Sequence, residues 1–263
     1  MFVANNITVT ITRQLSRLFL VSMLGFIVMT GCAINPQTPT KDPQDANQLV
    51  TIADNLLVDQ QGWWQVSFHR NYQQGDDVMW YLGALLAYEV IKPVIDTNQQ
   101  LRLWRFHQRA KEDQSGHKFS FVFYSARSDA EKIHQYVKDN ALVKQLLTDN
   151  YIERISFFEF KGKDRSAIEN TSDKSWPLEL QRSWPYFIMG ASQTWLSLID
   201  EFYQQEQISE EPDLAQQVQL FKKLNDKINQ VWEQKGHHAF LHHLNALFGY
   251  QELYIIDRRL MRF

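Results

Sequence analysis

Between Leu101 and Ser125 the chain twice alternates apolar and polar residues, first as LRLWRFHQRA over 101–110 and then as KFSFVFYS over 118–125. A period of two marks a strand, because successive side chains leave opposite faces of the sheet. The polar connection Lys111 to His117, which contains Gly116, makes the pair an antiparallel hairpin. In the second strand Phe119, Phe121 and Phe123 share one face and Val122 and Tyr124 the other, so both faces are covered and the strand is central. In the first strand Arg105, His107 and Arg109 fall on a single face.

Helical spacing accounts for most of the rest. Asp45 to Asp59 reads as a first helix, and Val78 to Ile91, capped by Asp76-Asp77, as a second. Only Glu89 is charged in that second stretch, which places it in the middle of the core until Lys92-Pro93 ends or kinks it. Trp63 to Phe68 is a short strand or an ordered loop. Ser128-Asp129-Ala130-Glu131 is a capping box opening a helix that runs to Leu147, with a break near Asn140. Tyr151 to Phe160 is a third strand, followed by a long polar loop, Lys161 to Ser183. Pro185 sits where a first helical turn tolerates proline, and its helix runs to about Gln205. Glu211-Pro212 starts another helix, with the stripe Leu214, Val218, Phe221, Leu224, Ile228 and Val231. A short helix from His237 to Phe248 stops at Gly249, and Leu253 to Phe263 closes the chain as a strand. A hairpin plus helices in blocks is the pattern of an α+β fold, not of a doubly wound sheet. The expectation is a small mixed or antiparallel sheet of about four strands packed with six to seven helices, as one domain over 45–263.

Ahead of that domain, Arg13 and Arg17 precede an uncharged run from Leu18 to Met29, and then Thr30-Gly31-Cys32. About twelve apolar residues are too few for a membrane-spanning helix, which wants roughly 20. A basic start, an apolar middle and small residues at the end are the parts of a secretory signal. The segment resembles the bacterial lipoprotein class, whose signal ends in a small residue and an invariant cysteine; Met29 stands where leucine is usual. The resemblance implies a signal peptide over 1–31 and acylation of Cys32, with fatty chains such as palmitate on the sulfur and the new amino terminus. Ala33, in place of an aspartate, implies sorting to the outer membrane. Residues 32–44 then form a tether whose Pro36, Pro39 and Pro43 keep it extended, for a reach of roughly 30 Å. Cys32 is the only cysteine, so no intramolecular disulfide is possible. Cleavage removes two arginines and no acid, moving the formal charge from −3 to −5. A mildly acidic chain is a poor partner for nucleic acid.

Four groups could carry chemistry. His238 and His242 lie one helical turn apart on the polar side of their segment, a spacing that suits zinc. Ala239 follows the first of them, where a catalytic zincin has glutamate; His237 points toward the apolar face. Arg105 and Arg109, with Arg258 and Arg259 if the last strand is a neighbour, could bind a phosphate, a carboxylate or an acidic partner. Trp176 and Trp184 stand in a polar stretch where no core periodicity demands them, and could contact a ligand. No nucleophile elbow, phosphate loop or carboxylate pair is singled out. The expected function is therefore non-enzymatic: binding or assembly by an outer-membrane lipoprotein facing the periplasm, with other envelope proteins as partners and no cofactor. The alternatives are a small-ligand carrier with an aromatic pocket, or a zinc-dependent hydrolase using His238 and His242.

Overall fold

In a computed structural model of the protein, the described residues are 61–71, 78–109, 116–161, 166–207 and 212–250. They form an α+β fold. The strands are β1 (Gly62–Arg70), β2 (Leu103–Gln108), β3 (Lys118–Ser125) and β4 (Ile152–Glu159), all antiparallel in the order β2-β3-β1-β4. Helix α1 comprises Tyr81–Leu85, a π-helical turn Leu86–Ile91 and Lys92–Thr97. It is followed by α2 (Arg127–Asp139), α3 (Ala141–Thr148), a 3-10 turn (Ile168–Thr171) and α4 (Leu178–Gln204). Helix α5 comprises Leu214–Gly236, a π-helical turn His237–His242 and His243–Leu247. None of these helices is long and apolar enough to cross a membrane.

Five helices among the described residues are fewer than the six to seven expected. The segment His237–Phe248 is not separate but continues α5 through Gly236, which is helical and buried, with the Trp232 ring 3.0 Å from where a Cβ would stand. The helix expected over 45–59, the cap at Asp76-Asp77, the strand at 253–263 and the whole of residues 1–44 lie outside the described residues.

The sheet has two unlike faces, set by the period of two. On one, Trp64, Val66, Phe68, Trp104, Phe106, Phe119, Phe121 and Phe123 are buried in one apolar cluster with the inner sides of all five helices. Helix α1 supplies its core, including Leu82, Leu85, Leu86 and Ile91. Its π turn comes just before Pro93, which has no N–H to give and crowds the carbonyl one turn back; a widened turn accommodates both. Helix α4 lies along the β2 edge, where Ser192 Oγ accepts the Phe106 backbone N–H at 3.1 Å.

Pro185 is not at the start of α4 but inside it, two turns beyond Leu178. A proline there orphans the carbonyl four residues earlier, at Gln181. The Ser172 hydroxyl donates to that carbonyl at 2.6 Å, and Gln181 Nε2 donates to the Trp176 carbonyl at 2.7 Å. Both side chains are buried. The long polar loop thus closes the gap that Pro185 makes and fixes the 3-10 turn against α4.

Candidate functional site

The second face of the sheet carries only a small core of Trp63, Leu103 and Val122, packed against Ile168 of the 3-10 turn and Met189 of α4. Pairing across β2, β3, β1 and β4 sets its side chains in rows: Arg105, Val122, Gln65 and Phe158 form one, and His107, Ser120, Ser67 and Ser156 the next. Arg109 follows one step along, its backbone N–H donating to the Lys118 carbonyl at 2.9 Å. The smaller members of the second row lie low: Ser67 Oγ and Ser120 Oγ are 2.8 Å apart and both residues are buried. Gln65 Nε2 donates to Ser67 Oγ at 2.5 Å, and His69 Nε2 meets Ser156 Oγ at 2.9 Å. Large cationic side chains from β2 and β3 stand around this hydroxyl floor.

A wall opposite comes from the loop before α4. Trp63 Nε1 donates to the Ile168 carbonyl at 3.0 Å and the Tyr124 hydroxyl to the Ser166 carbonyl at 2.7 Å, which ties the 3-10 turn to the sheet. Thr171 and Asp173 are thereby brought over the sheet face. Between them and the strands is a cavity of about 640 Å³, bordered by Arg105, His107, Arg109, Lys118, Thr171 and Asp173 along with the floor residues. That volume lies inside the roughly 300–1,000 Å³ typical of small-molecule sites.

Two residues that border this cavity each hold a buried polar atom without a hydrogen-bond partner, Arg105 Nε and Thr171 Oγ1. Buried donors left unmade cost about 1–3 kcal/mol each, so most are satisfied. Burial, and then the neighbouring Arg109, hold the Arg105 pKa below the ordinary arginine range. Among the described residues no acid offsets that burial, and an anion beside Arg105 would do so. Asp173 faces the cavity but is engaged locally, accepting from the Ser175 N–H at 2.8 Å and its hydroxyl at 2.7 Å.

Of the anion-binding residues expected from sequence, Arg105 and Arg109 share this cavity; Arg258 and Arg259 lie outside the described residues, as does Cys32. Sequence reasoning did not single out Lys118, Ser120, Gln65, Thr171 or Asp173. The hairpin periodicity contains the first two, since whatever is not on the Phe119–Phe123 face must share the face of Arg105. Thr171 and Asp173 arrive through a loop and leave no periodic signal.

The histidines are arranged differently from an ideal helix. His238 and His242 stack nearly parallel, with centroids 5.3 Å apart and 13° between planes. The π turn brings in His243 as well, edge-on to His238 at 5.3 Å and to His242 at 5.4 Å, whereas His237 is exposed and does not join the apolar face. Ring nitrogens of stacked imidazoles point outward in their planes and do not converge on one ion. Among the described residues no three His, Cys, Asp or Glu side chains are grouped to hold a metal. Trp176 and Trp184 pack edge-to-face on each other at 5.0 Å, and Trp184 packs on Phe187 at 5.2 Å. Phe187 in turn borders an apolar cleft of about 1080 Å³ between α4 and the end of α5, where Trp195, Leu198, Trp232, Phe240 and Leu244 also line the walls. Neither Trp176 nor Trp184 lines it.

Compared with protein-family models, curated proteins and solved structures, the chain matches none of them, so the site is read from its own geometry.

Proposed function

We propose that this chain is a non-enzymatic, lipid-anchored protein of the bacterial outer membrane, facing the periplasm, that binds a phosphate- or carboxylate-bearing component of the envelope on the outer face of its sheet. The observation that carries the ligand class is that Arg105 and Thr171, whose buried Nε and Oγ1 have no partner, border one cavity together with Arg109 and Lys118. The location rests on the Arg13–Cys32 segment and its resemblance to lipoprotein signals. At a phosphate concentration about ten times Kd, the full chain gains about 1.4 kcal/mol, which raises Tm by about 4 °C over chloride at equal ionic strength. Equal Tm values in the two salts would remove the anion reading. Separately, Cys32→Ala should abolish labelling by radioactive palmitate, and unchanged labelling would remove the anchor.

A second reading, a carrier of a small apolar molecule, is favoured by the cleft between α4 and α5, whose walls are largely aromatic and aliphatic. The two readings part on salt: anion binding weakens as ionic strength rises, while burial of an apolar ligand does not.

A further inference from the structure

We propose that the natural ligand of the sheet-face cavity is an anionic sugar, a pyranose bearing a carboxylate or a phosphate. This rests on the anion-binding reading and adds to it. An inorganic anion needs only the cationic wall, yet the cavity of about 640 Å³ is several times larger than such an ion and its remaining surfaces are chemically distinct. Its floor is made of hydroxyls and an amide, from Ser120, Ser156 and Gln65. Across from Arg105 stand the unpartnered Thr171 Oγ1, which can donate or accept, and the Asp173 carboxylate, held below the usual carboxylate range by the N–H and hydroxyl of Ser175 and therefore ionised and acceptor-only at neutral pH. Sugar hydroxyls supply both halves of those bonds at several positions, whereas inorganic phosphate has one or two hydroxyls and cannot set them over Asp173 while its charge lies at Arg105.

The remaining wall is aromatic. Phe158 and Phe160 meet edge-to-face at 5.1 Å and both border the cavity, with Phe158 55% exposed although it sits on a strand. An exposed phenylalanine on a wall opposite hydroxyl-bonding groups presents the flat apolar surface against which the C–H face of a pyranose packs. One compact ligand class combines a negative charge, several hydroxyls and an apolar face. The anion belongs at Arg105, the hydroxyls over Ser120, Thr171 and Asp173, and the ring against Phe158.

The test is calorimetric titration of the full chain in detergent with glucuronate, glucose 6-phosphate, inorganic phosphate and glucose, at fixed ionic strength. Glucuronate or glucose 6-phosphate should bind about tenfold or more tightly than either inorganic phosphate or glucose. Arg105→Gln should weaken the anionic sugars by about 10- to 100-fold. Phe158→Ala, a surface change that leaves the fold intact by circular dichroism, should weaken them about fivefold and leave inorganic phosphate unchanged. If phosphate binds as tightly as both anionic sugars, or Phe158→Ala alters neither, the sugar is wrong while the anion reading stands. If glucose equals the anionic sugars, or if none of the four binds, both readings fall together.

Discussion

Phe121→Ala should lower unfolding stability by about 4 kcal/mol, a large share of the roughly 5–15 kcal/mol that a native domain has. Phe121 is 0% exposed on the central strand β3 and packs its ring against Trp104, Phe106 and Phe123. Removing it leaves a cavity that these three rings cannot close, since each is held by other neighbours. Phe158→Ala, one strand beyond β1 and on the opposite face, should cost less than about 1 kcal/mol. Urea unfolding of both variants measures the difference directly. The contrast matters for function, because the main core fills one face, while the other has only the small Trp63, Leu103 and Val122 cluster and otherwise lines the cavity. Similar costs at the two positions would mean that both faces are core.

Acid should destabilise the protein well before its carboxylates protonate. His134 is enclosed by the rings of Trp64, Phe123 and Phe157, and its Nε2 has no partner. Burial, and then Lys138, push its pKa down from 6.5 to about 4. His117 is lowered too, by burial and then by Arg70, whose Nη1 lies 3.0 Å from His117 Nε2 while Nδ1 donates to the Arg109 carbonyl at 2.8 Å. His69 is lowered by burial first, then by Arg154 and Lys118. In each case the unfolded chain binds the proton more readily than the folded one. Stability is therefore complete above pH 6.5 and falls as pH drops toward 4. Each tenfold change in proton affinity is worth about 1.4 kcal/mol; the His134 ring is partly open to solvent, and screening reduces its share to about 2 kcal/mol. Urea titrations at pH 7 and pH 4.5 should show that loss, and His134→Gln should remove most of it. A flat profile between those values would show that the three rings accept protons in the folded state as easily as in the unfolded one.

Much of the fold was legible because it is written in periodicities. The hairpin β2–β3, the central place of β3, the core position of α1 and the stripe of α5 all follow from residue spacing, and the structure agrees. Where sequence and structure part, the missing information is non-local. Trp63 to Phe68 alternates too briefly to tell a strand from an ordered loop; pairing with both β3 and β4 makes it an interior strand. Ser128 was expected to cap α2, but the helix begins at Arg127 and has no side-chain cap, whereas Asn140 caps α3 by accepting the Val143 N–H. Pro185 could be placed inside α4 only once Ser172, thirteen positions away, was seen to satisfy the carbonyl it orphans. The candidate site divides in the same way. Its cationic wall follows from alternation in two strands, while Thr171 and Asp173 reach it through a loop whose path is set by Trp63 and Tyr124.

The most direct measurement is titration of inorganic phosphate into the full chain, its Arg105→Gln variant and the exposed-lysine control Lys132→Gln, at one ionic strength. Wild type and Lys132→Gln should each show one saturable site, and Arg105→Gln should bind about tenfold or more weakly. Arg105→Gln binding phosphate as wild type does would contradict the assignment of the sheet face as the ligand site.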